Sequence, residues 1–93
     1  MRNYRLMAVV KGHVQGVGYR YHVMQQASKS DIVGYAKNLA NGDVEIFAEG
    51  KQTNLEQLIS FLYHASPLGR VSEVETLEFI SIDQKSKTNF VCY

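Results

Sequence analysis

A glycine-rich segment that ends in an arginine, GHVQGVGYR at residues 12–20, contains the residue types best suited to hold an anion. We call this segment the glycine loop. Gly12, Gly16 and Gly18 carry no side chains that would prevent main-chain N–H groups from converging. The loop lies between a run typical of a strand and a run typical of a helix, and the free N–H groups at a helix start favour negative charge. Arg20 adds a fixed positive charge and a fork of donors that suits phosphate oxygens. The loop is therefore predicted to bind phosphate.

Two well-known phosphate loops do not fit the sequence. A Walker A loop needs G-x-x-x-x-G-K-[ST], and the chain contains neither Gly-Lys-Ser nor Gly-Lys-Thr. The dinucleotide fingerprint G-x-G-x-x-G fails because Tyr19, Arg20 and Tyr21 follow the last two glycines. From composition alone, a glycine-rich connection that binds nothing remains the alternative.

Length and composition predict a single domain over residues 1–93, with a hydrophobic content of 45% and a formal net charge of +1. That charge does not suggest a nucleic-acid surface. Cys92 is the only cysteine, so no internal disulfide can form. Because no apolar run is long enough for a leader or a membrane span, we expect a cytoplasmic protein that binds neither membranes nor nucleic acid.

Hydrophobic spacing and turn residues predict an alternating series of strands and helices. Asn41-Gly42 predicts a hairpin, because this dipeptide accepts two positive φ angles. Thr53 to Glu56 form a capping box at the start of the second helix, which must end before Pro67. The apolar positions predict strands over residues 4–11, 32–39, 44–49, 71–82 and 89–93, and helices over residues 21–30 and from residue 53 onwards.

This order, βαββαβ with an appended strand, predicts an α+β fold of the ferredoxin-like type. Its antiparallel sheet would carry two helices on one face and a short extra C-terminal strand. Strands one and two would run parallel with strand three between them, so that their C-terminal ends share one edge. Neighbouring strands are about 4.8 Å apart, which puts these ends roughly 10 Å from each other. We therefore expect Arg20, after strand one, to meet Asn38, near the end of strand two.

Two segments resemble the motifs of the acylphosphatase family, and the resemblance extends over essentially all of the chain. The glycine loop resembles the pattern G-x-V-Q-G-V-x-[aromatic or Met]-R. Residues 34–44, GYAKNLANGDV, resemble G-[aromatic]-[small]-x-N-x-x-x-G-x-V, and Gly50 matches the last glycine of the longer pattern. The resemblance implies an enzyme that hydrolyses acyl phosphates to a carboxylate and inorganic phosphate, with no metal or cofactor.

By position, the resemblance implies two catalytic residues: Arg20 binds the phosphoryl group and Asn38 holds the attacking water. It also implies a substrate-binding cradle made by the main chain of Gln15, Gly16, Val17, Gly18, Tyr19 and Arg20. The chemistry is consistent, because phosphoryl transfer needs positioning and charge stabilisation more than covalent chemistry. A carboxylate leaving group needs no general acid. Asparagine is a poor base, so we hypothesise that an oxygen of the substrate phosphate takes the proton from water.

The histidines and the cysteine are expected to play no part in the chemistry. His13, His22 and His64 lack the spacing of a metal set, and His22 is interpreted as a bystander beside the loop. Cys92 is interpreted as a small apolar residue of the last strand.

Other polar and aromatic residues are assigned structural roles. Tyr19 and Tyr35 are interpreted as core or pocket-rim residues, and Asn41 as a turn residue. Four glutamates are interpreted as solvated residues of strand faces: Glu45, Glu49, Glu73 and Glu75.

Three other functions remain open from the sequence. The fold also suits a non-catalytic module that binds a phosphorylated metabolite. An RNA-binding sheet is disfavoured by the near-neutral charge. The third alternative is an excised segment of a larger carbamoyl-transferring protein, and the end of the sequence at Tyr93 is taken as an argument against it. The sequence does not select one acyl phosphate, and a monomer is the simplest expectation.

Overall fold

The structure is a computed structural model that describes residues 2–93, and its strands and helices follow the predicted order. The strands are β1 (Asn3–His13), β2 (Val33–Asn38), β3 (Val44–Lys51), β4 (Arg70–Ile82) and β5 (Phe90–Cys92), and the helices are α1 (Tyr19–Lys29) and α2 (Gln52–Leu62).

The strands form one sheet in the order β4-β1-β3-β2-β5. β3 is antiparallel to both β1 and β2, so β1 and β2 run in the same direction and end at the same edge. The ferredoxin-like fold class is thus confirmed. The sheet is mixed rather than wholly antiparallel, because the chain crosses after β4 to the far edge, where β5 pairs parallel to β2.

The hydrophobic core lies between one face of the sheet and the two helices. Alternate residues of β1 point into it, and Leu6, Ala8 and Val10 are fully buried. β3 contributes in the same way, and the helices add apolar stripes. The core residues from these elements are Val44, Ile46, Ala48, Val23, Ala27, Leu55, Leu58 and Leu62. In the described part of the chain, residues 2–93, no helix has the length and apolarity needed to cross a membrane.

Two local predictions about helix and turn geometry are wrong. α2 begins at Gln52 with Lys51 as its N-cap and without a side-chain cap, so Thr53 lies inside the helix and forms no capping box. The reason is that β3 continues to Lys51 and leads directly into the helix. The β2–β3 hairpin is present, but only Gly42 has a positive φ, of 97°, while the Asn41 side chain accepts a hydrogen bond from the Asp43 amide (3.0 Å).

Glu49 is fully buried, contrary to the prediction that it lies on a solvated face. Its carboxylate accepts hydrogen bonds from the Ser86 amide (2.7 Å) and the Ser86 hydroxyl (3.0 Å), and from Nε of Arg5 at 3.3 Å. Burial of a carboxylate is tolerated only where such donors replace water. Glu49 therefore fastens the segment between β4 and β5 to the sheet.

Replacing Glu49 with alanine should lower the free energy of unfolding by about 2 kcal/mol, because hydrogen bonds to a charged group are lost and a main-chain N–H is left unpaired. Urea unfolding measures this as a lower midpoint. The matched control is Glu73→Ala, an exposed glutamate of β4, which should change the free energy by less than about 0.5 kcal/mol. Equal midpoints for the two variants would contradict the role given to Glu49.

Candidate active site

The connection between β1 and α1, within the glycine loop, forms a concave group of N–H donors. Gly16 and Gly18 both have φ of 75°, a left-handed conformation that favours glycine, and Gly18 is the N-cap of α1. Among residues 2–93, no acceptor engages the main-chain N–H groups of residues 15–20. Successive N–H groups in such a conformation, at the start of a helix, make a site for an anion.

Gln15 holds the loop against the β2–β3 hairpin. Its side-chain amide donates to the main-chain oxygens of Leu39 (2.8 Å) and Asp43 (2.9 Å). Both hydrogens of the amide are used in this way. The Gln15 side chain therefore shapes the loop, and its main-chain N–H is the group that remains available to a ligand.

Ser66 fixes the orientation of one peptide group of the loop. Its buried hydroxyl donates to the main-chain oxygen of Val17 at 2.5 Å and accepts from the Leu68 amide at 3.3 Å. In a trans peptide the C=O and the following N–H point in opposite directions. The bond from Ser66 therefore fixes the Val17 oxygen on one side of this peptide group and the Gly18 N–H on the opposite side.

Gly69 allows the β4 side of the molecule to approach the loop closely. A Cβ atom at this position would lie 3.1 Å from the His13 oxygen and 3.3 Å from Cγ2 of Val17. Both contacts are tighter than those that side chains normally make. A larger residue here would push the loop away from Ser66.

Arg20 and Asn38 meet at the main-chain oxygen of Tyr93, as the topology predicts. The Arg20 guanidinium donates to this oxygen through Nη1, and the main-chain N–H of Asn38 donates to it at 3.3 Å. Tyr93 is held in turn, because its own N–H donates to the Ala36 oxygen (2.9 Å) and its ring packs on that of Tyr35, with 5.4 Å between ring centroids. Guanidinium has five N–H donors, so most of them remain free for a ligand.

The side chain of Asn38 carries an unsatisfied acceptor. Its Oδ1 is buried and, within the described residues 2–93, accepts no hydrogen bond. Buried polar atoms without a partner are rare and call for a donor such as water. The atom is therefore suited to hold a water molecule at the end of β2.

A cavity of about 330 Å³ opens beside the loop. The residues that line it are Val14, Gly16, Gly18, Tyr19, Arg20, Tyr21, Met24 and Cys92. Burial raises the pKa of the Cys92 thiol, although the nearby Arg20 charge opposes the shift, so this sulfur is uncharged at neutral pH. The lining of the cavity thus combines the cationic Arg20 with apolar side chains and an uncharged thiol.

The other aromatic and histidine candidates contact the loop region without completing a metal site. Tyr19 is a core residue whose hydroxyl donates to the Leu62 oxygen (2.7 Å), and burial raises its pKa. Nδ1 of His22 lies 2.7 Å from the Gly18 oxygen. Among residues 2–93, no three His, Cys, Asp or Glu side chains lie where they could hold a metal ion.

Sequence reasoning placed the glycine loop, Arg20 and Asn38 at one edge of the sheet, and it missed Ser66 and Tyr93. Ser66 precedes Pro67, where the sequence indicates only the end of the second helix, and its partner Val17 is 49 residues away in the chain. Tyr93 contributes its main-chain oxygen, and the type of a residue does not indicate that its main chain will take part in a site. No local signal could have identified either residue.

Comparisons with known proteins agree on one family. The model of the acylphosphatase family matches residues 6–92. The chain is 47% identical over 72 residues to an acylphosphatase of Deinococcus radiodurans, and these residues cover 77% of this chain and 83% of the relative. It is 43% identical over 82 residues to an acylphosphatase of Vibrio parahaemolyticus, covering 88% of each. The crystal structure of the Bacillus subtilis acylphosphatase superposes with a TM-score of 0.82 at 32% identity, over 100% of this chain and 99% of the other.

Proposed function

The chain belongs to the acylphosphatase family and hydrolyses acyl phosphates, and we propose that the glycine loop and Arg20 hold the phosphoryl group while Asn38 holds the attacking water. In this reaction the oxygen of water bonds to phosphorus and the bond from phosphorus to the acyl oxygen breaks. The products are a carboxylate and inorganic phosphate. Two observations support this assignment of roles. Unengaged loop N–H groups and the Arg20 guanidinium lie beside one cavity, and Asn38, whose buried Oδ1 has no partner, donates its main-chain N–H to the same Tyr93 oxygen as Arg20.

Phosphoryl binding is assigned to the main-chain N–H groups of residues 15–20 together with Arg20. These donors are fixed before substrate arrives, so charge that develops on the phosphoryl oxygens is stabilised without reorganisation. The guanidinium suits two phosphoryl oxygens at once. This role is supported by the position of Arg20 in the cavity lining with Gly16 and Gly18, where its bond to Tyr93 restrains the side chain.

Water is assigned to Oδ1 of Asn38, which can accept one of its hydrogens and align its oxygen with phosphorus. Alignment of this kind is the main contribution available to a protein in phosphoryl transfer. We propose that the proton passes to a phosphoryl oxygen of the substrate. This mechanism predicts that no side-chain base titrates in the rate profile; a titration that disappears on mutation of one side chain would overturn it.

The reaction is tested by hydrolysis of benzoyl phosphate in ¹⁸O-labelled water with EDTA present. The proposal requires turnover without added metal and one ¹⁸O atom in the phosphate, since water attacks phosphorus. Label in benzoate would show attack at the acyl carbon and contradict the roles of the loop and Asn38. Binding of phosphate without any turnover would instead favour the metabolite-binding module, which the family relationship does not favour.

We further propose that the protein acts as a cytoplasmic monomer, with one domain over residues 1–93 and no cofactor. A single core cluster that joins both helices to the sheet supports one domain. Size-exclusion chromatography with light scattering tests the monomer, for which the mass is 10.5 kDa.

Replacing Ser66 with alanine should lower kcat/KM for an acyl phosphate by about tenfold to a hundred-fold, because the Val17–Gly18 peptide is released and one donor is misplaced. Inhibition by inorganic phosphate should weaken in parallel, and Ser66→Thr should restore both by returning the hydroxyl. Asn54→Ala is the control, since it also removes a hydrogen bond to a main-chain oxygen, that of Ser30 at 3.1 Å. If the role of Ser66 is purely structural, Ser66→Ala and Asn54→Ala should both be less stable than the wild type, and both should keep its kcat/KM.

A further inference from the structure

The Tyr93 oxygen at which Arg20 and Asn38 meet is held by a short extension of the sheet. The Tyr93 N–H donates to the Ala36 oxygen at 2.9 Å, and the Tyr93 oxygen accepts from the main-chain N–H of Asn38 at 3.3 Å. Pairing with β2 thus continues past the end of β5, which is itself an edge strand of three residues. An edge strand this short opens locally at little cost unless side chains add to its main-chain bonds.

The ring of Tyr35 supplies such a side-chain contact. Tyr35 lies on β2, three residues before Asn38, and its ring centroid is 5.4 Å from that of Tyr93, with 59° between the ring planes. Aromatic rings at this distance and tilt attract one another beyond the effect of the area that they bury. The contact therefore helps to hold Tyr93 against the end of β2.

Tyr35 is itself fixed from two sides. Its ring stacks on that of Phe47, its direct cross-strand partner on β3, with 5.3 Å between centroids and 3° between planes. Its hydroxyl donates to a carboxylate oxygen of Glu45 at 2.7 Å. Burial, and next the hydrogen bond to Glu45, raise the pKa of Tyr35 to about 12, so the hydroxyl remains a donor at neutral pH. A side chain locked in this way can hold its neighbour in place.

We propose that Tyr35 is a positioning residue for the reaction, whose ring acts through Tyr93 to fix the main-chain oxygen at which the two catalytic residues meet. The inference rests on the proposed function. If the Tyr93 oxygen shifts, the Arg20 guanidinium loses the acceptor that restrains it, and the end of β2 loses a main-chain bond. Tyr35 therefore affects both phosphoryl binding and the placement of water, although it does not line the cavity.

The test is steady-state hydrolysis of benzoyl phosphate by Tyr35→Leu and Tyr35→Phe. Tyr35→Leu should lower kcat/KM by about tenfold, less than the roughly hundred-fold loss that a 1 Å displacement can cause, because main-chain bonds still hold Tyr93 near its place. We expect kcat to fall and the inhibition constant for inorganic phosphate to rise, since the contact supports Asn38 and Arg20 together. Tyr35→Phe keeps the ring and should keep both constants. An equal loss in Tyr35→Phe would assign the effect to the hydroxyl and overturn the role of the ring.

Tyr93→Ala removes the other ring of the pair and should have the same effect as Tyr35→Leu. Because Tyr93 is 62% exposed, this variant serves if Tyr35→Leu does not fold. The double variant should lose no more activity than either single variant, since both substitutions break one contact. Independent effects would instead multiply to a loss of about a hundred-fold.

Tyr4→Leu is the control for the loss of a packed ring elsewhere in the sheet. Tyr4 packs edge-on against Phe79 of β4, with 5.7 Å between centroids, so its loss should lower the midpoint of thermal unfolding and leave both kinetic constants unchanged. Losses that multiply in the double variant, or a kcat/KM within about twofold of the wild type in Tyr35→Leu and Tyr93→Ala, would overturn the positioning role and leave the hydrolase intact. A wild type that does not hydrolyse benzoyl phosphate would overturn the proposed function, and this inference with it.

Discussion

Replacing Arg20 with alanine should lower kcat/KM for benzoyl phosphate by about a hundred-fold to a thousand-fold. The guanidinium is the one charged group that lines the cavity among the described residues 2–93, so its loss leaves only main-chain dipoles to stabilise the phosphoryl oxygens. The inhibition constant for inorganic phosphate should rise with the loss of activity. Steady-state kinetics with phosphate as a competitive inhibitor measure both effects.

The conservative variant Arg20→Lys provides the control. Lysine keeps the positive charge but lacks the planar fork, so we expect an activity between those of the wild type and Arg20→Ala. Thermal unfolding should change little in either variant, because the bond from Arg20 to Tyr93 is exposed. If a folded Arg20→Ala protein keeps an activity within threefold of the wild type, its activity is about thirty times higher than a hundred-fold loss would leave. Arg20 would then have no part in phosphoryl binding.

Replacing Asn38 with alanine should lower kcat by about a hundred-fold and leave phosphate inhibition close to the wild-type value. The physical reason is that Oδ1 is assigned to water and the phosphoryl group is assigned to other donors. The bond from the Asn38 amide to Tyr93 is a main-chain contact and survives the substitution. A selective fall in kcat is what distinguishes loss of a group that acts in the transition state from loss of a binding group.

Asn41→Ala is the matched control for Asn38. Asn41 lies in the following turn, and its side chain bonds only to Asp43 among the described residues 2–93, through Nδ2 at 3.1 Å and Oδ1 at 3.0 Å. It should affect stability and leave kcat unchanged. If the two variants lose kcat equally, the effect of Asn38 comes from the hairpin as a whole, and the assignment of water to Oδ1 is wrong.

The part of the site that could be predicted is the part encoded locally or by topology. The glycine loop identifies itself because its glycines and Arg20 are close in sequence and precede a helix. The meeting of Arg20 with Asn38 follows from strand order, since β1 and β2 end at the same edge once β3 lies between them. The predicted strand pairing therefore gave the relative positions of these two residues, which their types alone do not give.

The groups that support the site could not be predicted, because each depends on a contact between distant parts of the chain. Ser66 is 49 residues from Val17, and Tyr93 is 73 residues from Arg20. Glu49 follows an apolar residue of β3 just as Glu45 does, so the sequence pattern does not distinguish the two glutamates. Only the contact with Ser86, 37 residues later, shows that the Glu49 carboxylate is buried and paired. Residue type alone does not distinguish such a glutamate from an exposed one.

Local signals failed where a longer element took precedence over them. The residues from Thr53 to Glu56 have the letters of a capping box with Thr53 as N-cap, yet β3 runs directly into α2 and places the N-cap two residues earlier, at Lys51. Asn41-Gly42 does make a hairpin, but the bond from the Leu39 amide to the Asp43 oxygen (2.8 Å) closes a longer turn in which only the glycine has a positive φ.

The most direct test of the central claim is hydrolysis of benzoyl phosphate, followed by ultraviolet absorbance with EDTA present, by the wild type, Arg20→Ala and Asn38→Ala in parallel. The account predicts that the wild type turns over, that Arg20→Ala loses both activity and phosphate inhibition, and that Asn38→Ala loses activity and keeps phosphate inhibition. A wild type that binds phosphate without turnover, or two folded variants that remain fully active, would contradict it.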